Sequence, residues 1–264
     1  MNLDPLVAFA EKLADEAAAM LDARSHAAAQ TKPDKSFVTE MDLAIEERLR
    51  AMIAAAYPEH GVLGEEFDAK MPDADYVWIL DPIDGTAAYV VGMPVYGTLI
   101  ALAYKGKPVL GVIHFPATKE RWVGAKGRKT TLNGKPCETR KGDTLADAIL
   151  SASNPDFFDA EAKKPLAALS EVTAWRVYGG AALSYGRLAQ GRTDLAIDAG
   201  LKLHDYAAFV PILEGAGGII TDWNGDELTI ASGPRVLAGG DKRRHEAALK
   251  IVQGALANGG NPHR

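Results

Sequence analysis

Apolar residues recur along this chain with two periods, and the change of rhythm divides it. Leu6, Ala10, Leu13, Ala17 and Leu21 return at helical spacing, which predicts an amphipathic helix over about residues 4–28. The polar stretch Thr31-Lys32-Pro33-Asp34-Lys35-Ser36 reads as a turn or mobile loop. Leu43, Ile45, Leu49, Met52 and Ile53 mark a second helix, closed by Tyr57-Pro58, with Asp42 near its start. Gly61-Val62-Leu63-Gly64 is a short strand ending in Glu65-Glu66, and Tyr76 to Leu80 is a buried strand. Thr98–Tyr104 and Pro108–Phe115 flank Lys105-Gly106-Lys107 as a hairpin, and Arg121–Gly124 with the Asn133-Gly134 turn extends the meander. This half therefore reads as two helices on a mainly antiparallel sheet.

From Ala148 onward strand and helix alternate. Strands are expected at Ala148–Ser151, Val172–Val177, Leu195–Ile197, Gly218–Thr221 and Val236–Ala238. Helices are expected at Asp159–Ser170, Ala181–Gln190, Asp205–Glu214 and from Asp241 to about Ala255. The fold class is α/β, with an α+β first half and a layered α/β second half. We divide it into an N-terminal domain, residues 1–146, and a C-terminal domain, residues 147–264.

Chemistry concentrates where the strand at Trp78-Ile79-Leu80 ends in Asp81-Pro82-Ile83-Asp84-Gly85-Thr86. Pro82 is expected to stop sheet pairing and turn the backbone, Gly85 to allow a close approach, and Thr86 to cap the next helix. Asp205, in Lys202-Leu203-His204-Asp205, is expected to cap an apolar helix running to Gly215. Each feature alone is ordinary turn or cap chemistry. Together Glu65, Asp81, Asp84 and Asp205 form a set of hard oxygen ligands at strand ends and helix starts. Such a set suits Mg²⁺ or Mn²⁺, and no Cys/His cluster favours zinc. Two residues separate Asp81 from Asp84, unlike the Asp-x-Asp-Gly-Thr of phosphatases that form an aspartyl-phosphate, so a covalent aspartyl intermediate is not expected.

Composition narrows the class. A 264-residue chain that is 47% hydrophobic can bury a large core. A net charge of −6 without a Lys/Arg block argues against nucleic acid as the main ligand. No apolar run is long enough to span a bilayer. One cysteine, Cys137, and a start without signal-peptide character point to a cytoplasmic setting. The Gly- and Asn-rich tail from Ala257 reads as loose.

The ordered set Gly64-Glu65-Glu66, Trp78 to Thr86, and Asp205-Tyr206-Ala207-Ala208 with Gly215-Ala216-Gly217-Gly218 resembles the inositol monophosphatase family. That resemblance implies a layered αβαβα sandwich, a homodimer, lithium sensitivity and two or three Mg²⁺ ions. It implies that Glu65, Asp81 and the Ile83 carbonyl hold one ion, that Asp81, Asp84 and Asp205 hold a second, and that Glu65 reaches a third. Thr86 and Asp42, the latter in Val38-Thr39-Glu40-Met41-Asp42, would activate the water, with Glu65 part of the catalytic set. Backbone N–H groups of Gly85 and Thr86 would cradle the phosphate. His204 stands where the family usually has tryptophan, and is read as packing rather than a metal ligand.

The implied reaction is hydrolysis of a small phosphate monoester by a metal-activated water. Gly97–Leu102, Pro108–Ile113, Glu120–Gly124 and Ala199–Lys202 look most like the histidinol-phosphatase branch, which works in histidine biosynthesis. Ala181-Ala182 after Gly179-Gly180 looks closer to the inositol-phosphate branch, whereas Asp198 could accept hydrogen bonds from a polyol or an ammonium. Asp84, Asp198 and Ala181 are the expected substrate neighbours. Histidinol phosphate is placed first and inositol 1-phosphate or another sugar phosphate second. A phosphatase-like regulatory binding protein is the rival of another class.

Overall fold

The computed structural model describes residues 2–22, 29–31 and 37–257. In chain order its elements begin with α1 (Asp4–Asp22), β1 (Ala29–Thr31), β2 (Phe37–Thr39), α2 (Glu40–Ala56), β3 (Gly61–Gly64) and β4 (Tyr76–Asp84). They continue with α3 (Thr86–Val90), β5 (Gly97–Tyr104), β6 (Lys107–Phe115), β7 (Glu120–Ala125), β8 (Thr131–Leu132) and β9 (Lys135–Pro136). The second half holds β10 (Ile149–Ala152), α4 (Lys163–Val172), β11 (Trp175–Tyr178), α5 (Leu183–Ala189), β12 (Leu195–Asp198) and α6 (Leu203–Tyr206). It closes with α7 (Phe209–Gly215), β13 (Ile219–Asp222), β14 (Val236–Gly239) and α8 (Lys242–Ala257).

Strand alternation builds the layers. In β4, Trp78 and Leu80 face one side of a seven-stranded sheet and Ile79 the other. Trp78 and Leu80 pack with Ile100, Leu102, Leu110 and Val112 beneath α1 and α2. Ile79, Leu99, Ile113 and Trp122 pack against Tyr185, Leu188, Phe209 and Ile212 of α5 and α7. Those helices also cover Ala196 and Ala238 of a five-stranded sheet. The far face of that sheet, Leu150, Leu195, Ile197 and Leu237, is closed by Leu166 and Leu169 of α4 and by Ala248 and Val252 of α8. Helix, sheet, helix, sheet and helix layers follow from these three apolar clusters.

The seven-stranded sheet runs β3-β4-β5-β6-β7-β8-β9, with β3 parallel to β4 and every later pair antiparallel. The five-stranded sheet runs β11-β10-β12-β14-β13, with β10, β11 and β12 parallel and β14 antiparallel to both neighbours. β1 and β2 pair separately.

The described part of the first helix runs from Asp4 to Asp22, and the rest of its expected span, like residues 32–36 of the polar stretch, lies outside the described residues. Three local expectations are corrected. Pro82 does not end β4: pairing continues to Asp84 through a bulge. Ala181 and Ala182 precede α5 rather than opening it. The helix expected from Asp205 to Glu214 is two, α6 and α7, broken at Ala207-Ala208. Pro211 supplies the reason, because it has no N–H to donate to the Ala207 carbonyl four residues back. The break sits close on the sheet, where a Cβ on Gly111 would strike the Ala208 carbonyl.

Candidate metal and phosphate site

The bulge in β4 places two acids together. Asp81 and Asp84 are three residues apart, and an odd spacing on a regular strand puts side chains on opposite faces. Here Asp81 pairs with Leu99 and Asp84 with Gly97, so β4 spends one residue more than β5. Both carboxylates then reach one side. The Thr98 hydroxyl, fully buried, donates to the Pro82 carbonyl at 2.8 Å and pins the bulge.

Gly85 follows with φ of +77°, a left-handed conformation that suits glycine. A Cβ there would also come within 2.6 Å of the Val95 carbonyl. Gly85, not Thr86, is the N-cap of α3, and Thr86 is its first helical residue. The Thr86 hydroxyl donates to the Ile83 carbonyl at 2.9 Å, and the Ile83 side chain is buried in the core. A carbonyl has two lone pairs, so the Thr86 bond uses only one of those at Ile83.

Asp205 arrives from the other half of the chain. It is the third residue of α6 rather than its cap: Lys202 holds the cap position, and its N–H donates to Asp205 Oδ2 at 2.6 Å. Oxygen atoms of Asp81, Asp84 and Asp205 lie within 4.8 Å of one another. Glu65 stands beside them at the end of β3, and its charge acts on all three. His204 Nε2 lies 3.9 Å from Glu65 Oε2 and 3.8 Å from Asp205 Oδ1, so this histidine faces the acids.

These acids strain to ionise together. Asp81 is 2% exposed, and burial first, then repulsion from Glu65, Asp84 and Asp205, drives its pKa far up. Burial likewise pushes Asp84 up to about 8, opposed by the Ala182 N–H that donates to its Oδ2 at 2.8 Å. Asp205 is raised by burial and lowered by His204. Asp81 and Asp84 have no Lys or Arg ion-pair partner among the described residues. Asp81 Oδ1 is buried without a hydrogen bond. An orphaned carboxylate oxygen in a cluster of acids is the environment a hard divalent cation satisfies.

Asp42 is fully buried at the start of α2. Its Oδ2 accepts from Thr39 N at 2.7 Å and Thr39 Oγ1 at 2.6 Å, while Oδ1 has no partner. Burial raises its pKa, against the Thr39 hydrogen bonds. α3 packs against β2, the strand leading into Asp42. Asp198 is also fully buried, its two oxygens taken up by Ser153 and Tyr185, and burial raises it to about 6. Ala181 has φ of +46°, unusual for a residue with a Cβ, and its methyl group lies next to Gly85.

Three supports are absent from the sequence reading. Buried Glu46 accepts from Glu66 N at 2.8 Å and Phe67 N at 3.3 Å, fastening the loop that carries Glu65. Its signal is a carboxylate inside the apolar stripe of α2, between Ile45 and Leu49. Ser153 and Tyr185, the partners of Asp198, carry no sequence signal.

Comparison with known proteins agrees with this arrangement. The chain matches the inositol monophosphatase family over residues 2–257. It is 43% identical over 231 residues to the chloroplastic bifunctional phosphatase IMPL2 of Arabidopsis thaliana, covering 84% of this chain and 67% of that one. It is 35% identical over 202 residues to a histidinol-phosphatase of Chlorobaculum parvum, covering 76% and 78%. An inositol monophosphatase structure from Zymomonas mobilis superposes with a TM-score of 0.88 at 38% identity, covering 96% of this chain and 99% of that one. The layered fold, the ordered acids and this match over most of the length make one case: the chain belongs to the inositol monophosphatase family and is one of its phosphatases.

Proposed function

We propose that this phosphatase hydrolyses histidinol phosphate to histidinol and phosphate with Mg²⁺ as cofactor. The observation that carries the metal reading is the convergence of Asp81, Asp84 and Asp205, with Asp81 Oδ1 left unsatisfied. Glu65, Asp81, the carbonyl of Ile83, Asp84 and Asp205 would hold two or three ions. When bound, the cations supply positive charge against the phosphoryl oxygens and make water a better nucleophile at neutral pH. The N–H groups of Gly85 and Thr86 open α3 and orient the phosphate, because first-turn amides have no intrahelical acceptor. The Thr86 hydroxyl, turned from the Ile83 carbonyl toward α2, would accept a proton from the attacking water as its own proton passes to the unpartnered Oδ1 of buried Asp42. Catalysis is then positioning and charge neutralisation.

Histidinol phosphate is favoured by the resembling middle segments and by the histidinol-phosphatase relative. An acid-rich site also suits an ester with a cationic amine. The second reading, inositol 1-phosphate, is favoured by Ala181-Ala182 after Gly179-Gly180 and by the Zymomonas mobilis structure. We also assign a second copy of this chain as partner, supported by the exposed edge strand β11, where Trp175 is 71% and Val177 50% exposed.

Phosphate release from histidinol phosphate and inositol 1-phosphate, with Mg²⁺ and with chelator, tests the proposal. Mg²⁺-dependent turnover at least about tenfold faster on histidinol phosphate is expected, one extra or missing contact being worth about that factor. A reversed preference selects the inositol reading. No release from either ester would leave the regulatory binding reading.

A further inference from the structure

Glu46 lies on α2 one helical turn after Asp42, and both are buried. A carboxylate so placed needs donors, and Glu46 finds them in the segment that leaves β3. Its Oε2 accepts from Glu66 N at 2.8 Å. Its Oε1 accepts from Phe67 N at 3.3 Å and from Arg50 Nε at 2.7 Å. Arg50 sits one turn further along the same helix and reaches past the carboxylate. Its Nη1 donates to the Asp68 carbonyl at 3.1 Å and its Nη2 to the Phe67 carbonyl at 3.0 Å, with the guanidinium over the Phe67 ring. One ion pair of α2 thus holds two amides and two carbonyls of residues 66–68.

The fit is close. A Cβ on Gly64 would lie 1.9 Å from Glu46 Oε1, so only glycine lets β3 end against this carboxylate. The excursion closes where Val62 and Lys70 exchange N–H···O bonds of 2.8 and 2.9 Å. Glu65 stands between two anchors. Its own N–H donates to the Leu80 carbonyl at 3.2 Å, one residue before Asp81, and the next two amides donate to Glu46. A buried ion pair adds little net stability, because desolvation offsets the attraction. Its effect here is on direction: backbone fixed on both sides aims the Glu65 side chain at the other acids.

We infer that Glu46, braced by Arg50, is a positioning residue for Glu65 and sets how tightly the cations held through Glu65 bind. Burial closes Glu46 itself off from ion and ester. This rests on the cation reading given above and is indifferent to which ester is the substrate.

Mn²⁺ is the probe, its free concentration read by electron paramagnetic resonance without substrate. The parent chain, Glu46→Gln, Glu65→Gln and the double variant are compared. Glu46→Gln keeps the side-chain volume, and is expected to weaken Mn²⁺ binding by about 10- to 100-fold, the usual loss when a group supporting a metal ligand is removed. In the Glu65→Gln chain the same change is expected to alter affinity less than about twofold, because a residue acting through another has nothing left to act on. Affinity in Glu46→Gln equal to the parent value overturns the inference. So does a loss of equal size in both backgrounds, which marks a general loosening of the fold. If Glu65→Gln abolishes binding, amide exchange of the cation-free chains decides. A rise of about tenfold confined to residues 65–68 in Glu46→Gln supports the inference, and parent rates there overturn it. Should Glu46→Gln not fold, Arg50→Lys takes its place in the same comparison, since it keeps the charge and gives up the fork that reaches Phe67 and Asp68. A parent chain that binds no Mn²⁺ ends the cation reading and this inference together. A parent that binds, with Glu46→Gln unchanged, ends this inference alone.

Discussion

Two buried clusters of aspartate in this molecule are built in opposite ways. At the edge of the five-stranded sheet, Asp194 is fully buried and meets Arg140 Nε at 2.9 Å, Arg140 Nη2, Arg244 Nη1 and the Ile149 N–H at 2.8 Å. Arg244 is itself buried and also donates to Asp147 at 2.7 Å and to the Thr144 carbonyl at 2.8 Å. Every charge there is matched within the chain. At the mouth of β4 Asp81 is buried almost as deeply and Asp84 partly so, yet both face acids. A chain able to neutralise one buried carboxylate with two guanidiniums withholds them from the other. That withheld charge is the space the proposed cation would fill, and a permanent Arg would forfeit it.

The largest break in this contrast is Asp84→Asn. Phosphate release should fall about 1,000-fold, near 4 kcal/mol of barrier, as expected for loss of a metal-binding carboxylate. The cation-free protein should melt no lower than the parent, because the change removes repulsion. Activity near the parent value would dismiss the metal assignment.

Next is Arg244→Ala, which should cost about 3 kcal/mol in urea unfolding by leaving Asp194 short of a partner. Turnover per folded molecule should stay unchanged. A variant as stable as the parent would show that the second cluster contributes little.

Last is pH. Asp84 is raised from 3.8 to about 8 in the folded protein without a cation. The folded chain then holds more protons than the unfolded chain between those values. Its stability is full below the lower value and declines as pH climbs toward the upper one. Mg²⁺ competes with those protons, so its stabilisation should grow over the same interval, reaching about 2.7 kcal/mol at a hundredfold excess over Kd. Thermal melts at pH 6 and 9, with and without Mg²⁺, measure this. A Mg²⁺ effect that shrinks with pH would contradict the assigned protonation.

The fold was legible because its periods are clean. Alternation in β4 to β7 and the stripes of α1 and α2 can be read directly, and so can the strand–helix rhythm after Ala148. Helix ends were less legible. The break between α6 and α7 had a signal in Pro211, outweighed by the apolar run around it. The acids of the site were visible as residue types at strand ends. What was not visible is the register that joins them: a one-residue bulge leaves no mark beyond Pro82, although it decides whether Asp81 and Asp84 share a side. Asp198 drew attention as a polar residue near the site, and sequence gives no measure of how fully Ser153 and Tyr185 occupy it. Glu46 was passed over because a charge within a helical stripe usually lies at its solvent margin, whereas here it is fully buried.

Asp205 comes from a helix between β12 and β13 of the five-stranded sheet, whereas its two companions belong to the seven-stranded one. Neither half on its own can assemble the trio. During refolding, capture of a divalent ion by all three would therefore time the docking of the two halves rather than the collapse of either, and a nascent chain halted before residue 205 would have no complete trap.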